Sequence, residues 1–220
     1  NEFLVILGPG RCGKTVLMNM LGGLIEPDDG EIIFSESDDK KEDILSSKIG
    51  MVFQRLSLMP WKKVMGNVEF GLMLKGVEKK KRQEISQTYI DMVGLTGFEN
   101  AYPSELSGGM KQRVGIARAY TCNPEILLMD EPFGQLDAQT RYAMQNEILK
   151  IYEKNKRTIV FVTNNIEEAL YLGDRIVLLS KCPATVKDIY TIDLARPRDM
   201  MDAAFMNLRN KISDNMDLIV

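Results

Sequence analysis

Short apolar runs punctuate the chain: FLVIL (3–7), EIIF (31–34), IGMVF (49–53), EILLMD (125–130), TIVFVT (158–163) and RIVLLS (175–180). Several are apolar without alternation, the pattern of strands buried on both faces of a parallel sheet. Between them, apolar residues at helical spacing predict helices over 14–24, 64–75, 78–93, 107–121, 138–155 and 166–173. Strands alternating with helices predict an α/β fold, a mostly parallel sheet flanked by helices. The stretch from about 55 to 105 reads as mostly helical. With the helix at 107–121 it predicts an inserted helical subdomain at about 55–121, between core segments at about 1–54 and 122–180 of one domain. Past Ser180 the pattern weakens. TVKDIYTIDL reads as a strand or hairpin arm, ARPRD breaks the chain, and 199–213 reads as a short amphipathic helix in a tail from about 181 onward.

Composition narrows the function. The chain has 220 residues, 45% hydrophobic and 27% charged, which suits one domain with a substantial core. No apolar run approaches the ~20 residues that span a bilayer. NEFLVILGPG has no basic stretch before its apolar run, so no signal peptide pattern is present. A net charge of −3 carries no nucleic-acid footprint. Three dispersed cysteines, Cys12, Cys122 and Cys182, argue against a disulfide framework and for a reducing cytoplasm. The basic run EKKKRQE (78–84) reads as a solvated helix face. Histidine is absent altogether, which excludes a Ser-His-Asp triad and His-ligated zinc. Proton transfer must then use a carboxylate, Lys, Tyr or Cys.

Two motifs fit phosphate chemistry. GPGRCGKT comprises Gly8, Pro9, Gly10, Arg11, Cys12, Gly13, Lys14 and Thr15, and matches G-x-x-x-x-G-K-[ST] between a predicted strand and a predicted helix. Glycines let successive backbone N–H groups curl around phosphate oxygens, and the helix N-terminus faces the same anion. Lys14 is expected on the β- and γ-phosphates and Thr15 on Mg²⁺. Cys12 is either a small residue that fits the loop or a thiol activated by the helix terminus. ILLMDEP (126–132) ends a strand in two carboxylates, over the ligand crevice of a parallel sheet. Asp130 is expected to hold Mg²⁺, and Glu131 to orient and deprotonate the attacking water.

LSGGMKQR (106–113) places Ser107, Gly108 and Gly109 at a second helix start able to bind an anion. With this motif the chain resembles the ATPase subunits of ABC transporters, a P-loop NTPase family with an LSGGQ-like signature. The resemblance implies a head-to-tail dimer in which the signature of one subunit closes on the ATP held by the other. It implies that Gln54, ending MVFQ, lies near Mg²⁺ and the membrane partner, and that Asp137 of GQLD lies at the dimer interface. Gly10, Arg11 and Gln135 depart from the family's usual residues. MPWKKVMGNVEFGL, EPFGQLDAQTR, EEALYLGDRIVLLS and LARPRD most resemble the nitrate/sulfonate/taurine importer branch. Trp61 in the first of these is either a surface for the permease or a core residue. The family has roughly thirty residues before the phosphate loop, about the length of a small β-subdomain. Here seven precede Gly8, so that subdomain is expected to be incomplete.

FVTNNIEEAL (161–170) raises a specific question, because a strand ends there in two asparagines. In the family this strand usually ends in Thr-His-Asp, and the histidine contacts the γ-phosphate. Asn164 aligns with that histidine. Its amide can donate a hydrogen bond, but it reaches about 2 Å less far and cannot titrate near neutrality. Asn164 is therefore expected to be a weakened γ-phosphate sensor with slow turnover. Alternatively, Asn164–Asn165 caps the helix that follows.

The resemblance implies an Mg-ATP-hydrolysing importer subunit on the cytoplasmic face of the membrane, acting as a homodimer or ABC heterodimer. Its partners would be transmembrane permease subunits and, indirectly, an extracytoplasmic substrate-binding protein, with a small anion as cargo and no nucleic acid. Two alternatives are a hydrolysis-impaired regulatory subunit and a non-transport ABC ATPase.

Overall fold

The computed structural model describes residues 1–34, 48–54, 57–134, 136–154 and 156–217. Its strands are β1 (Phe3–Leu7), β2 (Ile49–Val52), β3 (Ile126–Asp130), β4 (Thr158–Thr163), β5 (Arg175–Leu179) and β6 (Val186–Thr191). They form one sheet of order β2-β3-β4-β1-β5-β6. β1 pairs in parallel with β4, Phe3 opposite Ile159, and with β5, Leu4 opposite Arg175. β6 returns antiparallel to β5, so TVKDIYTIDL contributes a hairpin arm. Phe3, Val5, Leu7, Ile159 and Phe161 are fully buried. A central strand covered on both faces has no solvent side to mark with polar residues, hence the unbroken apolar runs. β6 is an edge strand, and of its six residues only Tyr190 is buried.

The helices are α1 (Lys14–Leu21), α2 (Val64–Val68), α3 (Phe70–Leu74), α4 (Lys79–Met92), α5 (Gly108–Thr121), α6 (Ala138–Lys154), α7 (Ile166–Leu172) and α8 (Ala203–Asn215). Two compact units partition the chain. One takes residues 1–38, 128–131 and 156–220, the other 39–127 and 132–155. None of the described helices is long and apolar enough to cross a membrane.

Three expectations need correction, and one alternative is decided. EIIF is irregular and joins no ladder among the described residues, Ile33 is 72% exposed and neither Ile32 nor Phe34 is buried, so this apolar run does not enter the core. The helix expected over 14–24 stops at Leu21. Gly23 turns left-handed there (φ 69°), and its N–H and that of Leu24 return to the carbonyls of Met20 and Asn19. The helix expected over 64–75 is two short ones joined at Glu69. Trp61 is not a core residue, being 73% exposed. Its loop is held by the fully buried Asn67, whose amide donates to the carbonyls of Met59, Lys62 and Lys63 and accepts the Met59 N–H. The basic run at 78–84 is mostly exposed, as a solvated face should be.

The tail is fastened by two arginines of LARPRD. Arg198 is buried, and its guanidinium donates to the carbonyls of Leu170, Tyr171 and Gly173 around the end of α7, and to Leu194. Arg196 donates to the Leu172 carbonyl and pairs with Asp174 at 2.7 Å. Helix C-termini leave carbonyls without intrahelical partners, and a buried fork of N–H donors satisfies them. Burial, and secondarily Arg196, lowers the Arg198 pKa to about 10, so it stays charged at neutral pH. Replacing it with an apolar side chain leaves several carbonyls unpaired. Arg198→Met is expected to lose about 3 kcal/mol of unfolding free energy, measured by urea denaturation of variant and parent.

Candidate functional site

The loop from Gly8 to Gly13 joins β1 to α1 in the first unit. Two residues turn it left-handed, Arg11 at φ 62° and Gly13 at φ 106°. Gly8 must be small: a β-carbon there would meet Cys12 Sγ and Leu179 Cβ, each at 3.1 Å. Cys12 is buried, and its sulfur packs against that glycine, which supports the space-filling reading of this residue. Helix α1 has neither a side-chain cap nor an acidic residue in its first turn. Its leading N–H groups therefore stay available to an anion.

Lys14 is 4% exposed, a costly place for an ammonium without partners. Its Nζ donates to the carbonyls of Gly8 (2.9 Å) and Pro9 (2.8 Å) and lies 3.7 Å from Glu131 Oε1. The positive charge is thus fixed at the loop by the loop's own backbone.

The two carboxylates end β3. Asp130 is 2% exposed, and its Oδ1 has no hydrogen-bond partner. Burial raises its pKa; the Thr15 hydroxyl beside it works the other way, Glu131 raises it again and Lys14 lowers it. Glu131 has φ 43°, a left-handed conformation uncommon outside glycine and a mark of functional strain. Its N–H donates to the Val162 carbonyl at 3.0 Å, which anchors the turn on β4.

At the end of β4 the two asparagines divide the work. Asn165 is the N-cap of α7, and its side-chain oxygen accepts the Glu168 N–H at 2.8 Å. Asn164 is exposed and caps nothing. The Thr163 carbonyl accepts the Gly8 N–H at 3.4 Å, so Asn164 follows a residue bonded to the phosphate loop. Thr163 and Glu168 escaped sequence reasoning. The Thr163 hydroxyl accepts the Asn165 N–H and donates to the buried Glu168 carboxylate. The N-x-x-E spacing of a capping box was the available signal.

The first unit therefore brings together Gly8–Thr15, Asp130, Glu131 and Asn164. Gln54, Ser107, Gly108, Gly109 and Asp137 belong to the second. There Ser107 caps α5, accepting the Met110 N–H at 3.2 Å, as its position at a helix start requires. A β-carbon on Gly109 would meet Leu136 Cδ2 at 3.0 Å. Gln54 is exposed, two residues past β2. Asp137 precedes α6 and accepts the Thr140 N–H, which lowers its pKa. Gln135 lies outside the described residues.

A divalent cation fits the first unit's donor set. The unpartnered oxygen of Asp130 and the adjacent Thr15 hydroxyl are both hard ligands. The described residues hold no group of three or more His, Cys, Asp or Glu side chains able to bind a metal. Two hard ligands are the number Mg²⁺ takes from a protein when phosphates and water complete its shell.

Residues 1–134 match the ABC transporter family. The chain belongs to that family. It is an ATP-binding domain and an ABC ATPase, as LSGGMKQR and the phosphate loop led one to expect. An ABC transporter ATP-binding protein of Methanocaldococcus jannaschii is 51% identical over 212 residues, 96% of this chain and 78% of that one. The taurine import ATP-binding protein TauB of Escherichia coli is 44% identical over 195 residues, covering 89% and 75%. Among solved structures, the dimeric bacterial ABC transporter cassette MJ0796 aligns with a TM-score of 0.78 at 34% identity, covering 88% of this chain and 87% of that one. A second structure of MJ0796, bound to ADP and Pi after hydrolysis, aligns at 0.77 and 32% identity.

Asp130 in this cassette gives a prediction with a definite sign. Its folded pKa lies above the unfolded value near 3.9, so its cost to stability is absent below about pH 4. That cost grows as pH rises through the folded pKa. Asp130→Asn is expected to melt higher than the parent at pH 7, with the gap closing toward pH 4, while losing metal-dependent nucleotide binding. Paired thermal melts at the two pH values, with titrations of ATP with and without Mg²⁺, check both halves.

Proposed function

We propose that this ATPase hydrolyses Mg-ATP in a head-to-tail dimer and drives uptake of a small solute through a separate permease. The observation that carries the reading is the buried, unpartnered Asp130 oxygen beside Thr15, next to a loop charged by Lys14. Mg²⁺, held by Thr15 and Asp130, would neutralise charge on the phosphates. Lys14 and the first N–H groups of α1 bind the β- and γ-phosphates. Glu131 accepts a proton from the water that attacks the γ-phosphorus, as the bond to the β–γ bridging oxygen breaks. Asn164 donates a hydrogen bond to the γ-phosphate but cannot exchange a proton, so turnover is slow.

The resemblance assigns the remaining roles. Ser107, Gly108 and Gly109 act across the dimer, Asp137 sits at its interface, and Gln54 serves the metal and the permease. The resemblance to TauB, together with the branch motifs, supports import on the cytoplasmic face of the membrane and a sulfonate-like cargo. The glycine betaine transport ATP-binding protein OpuAA of Bacillus subtilis is 41% identical over 99% of this chain. Relatives with such different cargo names agree with a cargo chosen by the permease and an external binding protein.

Asn164 also favours a second reading, a subunit that binds ATP and regulates without turning over. Steady-state Mg-ATP hydrolysis separates the two. Glu131→Gln is expected to reduce the rate about 100-fold or more while ATP still binds. Asn164→His is expected to raise it at least about tenfold, ~1.4 kcal/mol of barrier. A rate unmoved by Glu131→Gln would establish the regulatory reading instead.

A further inference from the structure

We propose that Thr163 and Glu168 are positioning residues that set the rate of hydrolysis by holding the turn that presents Asn164, without touching the nucleotide. This rests on the reading of Asn164 as the γ-phosphate contact.

Asn164 lies between two residues clamped to each other. On one side, the Thr163 hydroxyl uses both its proton and its lone pair: it donates to Glu168 Oε2 and accepts the Asn165 N–H at 3.1 Å. On the other side, Asn165 accepts the Glu168 N–H at 2.8 Å. Bonds from the strand's last residue to the helix's first turn close a ring beneath the one exposed side chain of the turn. Thr163 is 2% exposed and Glu168 6%, so the ring is shielded from competing water. The Thr163 backbone continues outward, its carbonyl receiving the Gly8 N–H. The ring therefore ties Asn164 to the loop that would hold the nucleotide.

An ordinary helix cap explains only part of this. Capping α7 requires the Asn165 oxygen on the Glu168 N–H and nothing more. It does not require a buried carboxylate reaching back over Asn164 to the strand. That second bond costs the desolvation of a charged group, and its geometric effect is to fix the backbone on both sides of Asn164. Asparagine makes such fixing matter. Its amide is shorter than an imidazole, so a small displacement of the turn takes its donor out of hydrogen-bonding range.

The experiment is a double-mutant cycle on kcat for Mg-ATP hydrolysis, with KM and melting temperature recorded for each variant. Thr163→Val removes the hydroxyl at nearly constant shape. It is expected to lower kcat about tenfold, with KM within about twofold of the parent, and Thr163→Ser is expected to restore it. In an Asn164→Ala background, the same Thr163→Val substitution is expected to change kcat less than about twofold, because the group it positions is gone. Glu168→Leu severs the same bond from the other side and gives an independent cycle should Thr163→Val fold poorly. Equal losses in both backgrounds, or a change in KM alone, would overturn the inference and leave the Asn164 reading intact. An Asn164→Ala variant with the parent's kcat would overturn that reading, and this inference with it.

Discussion

The site hangs on the end of one strand. The last two carbonyls of β4, those of Val162 and Thr163, accept the N–H groups of Glu131 and Gly8. One residue later comes Asn164. The carboxylate that follows β3 and the loop that follows β1 are thus referenced to adjacent atoms of β4. Parallel strands make this possible because their C-terminal ends emerge on the same edge of the sheet. β4 can serve as the common reference because it is buried and pairs with β1 along its length, from Phe3–Ile159 to Leu7–Thr163.

Holding chemistry at that edge is costly to the fold. Lys14 is an ammonium with almost no solvent contact, Asp130 a buried carboxylate with one oxygen unpartnered, and Glu131 a non-glycine residue at positive φ. Each would be relieved by an ordinary substitution. Three such conflicts on neighbouring residues are the signature of a site built for a ligand rather than for stability. They are also mutually consistent, since the cationic Lys14 and the hydroxyl of Thr15 both stabilise ionised Asp130 against the desolvation that disfavours it. The unpartnered Asp130 oxygen and the charge of Lys14 are what a phosphate chain with a divalent cation would satisfy together.

Much of this was legible in the sequence, unevenly. The phosphate loop, the strand-end carboxylates and the Ser107 cap are local motifs, and each sits where its spacing implied. The central strands were legible because burial on both faces removes alternation. EIIF showed the limit of that signal: three apolar residues in a row read the same whether or not a ladder partner exists. Trp61 was ambiguous because composition cannot say which side of a loop faces solvent, which here is decided by the buried Asn67 beneath it. The asparagine pair was readable only as two alternatives for two residues. The structure assigns the cap to Asn165 alone. Glu168 was missed because a glutamate in a helix's first turn reads as surface charge or capping box, and its partner, the Thr163 hydroxyl, lies back across the turn.

Helix α7 connects that turn to the far end of the chain. At seven residues it is too short to hold itself in water. It is secured at its start by the Asn165 cap and the Thr163–Glu168 bond. At its end Arg196 and Arg198 bind the carbonyls of Leu170, Tyr171, Leu172 and Gly173. Gly173 admits the chain where a β-carbon would meet the Ala169 carbonyl and Val5 at 2.9 Å, so the helix closes directly against β1. The LARPRD segment is therefore more than a tail motif: it fixes one end of the element whose other end carries Asn164. The short helix that follows Asn164 is thus held at its far end by side chains from residues 196 and 198.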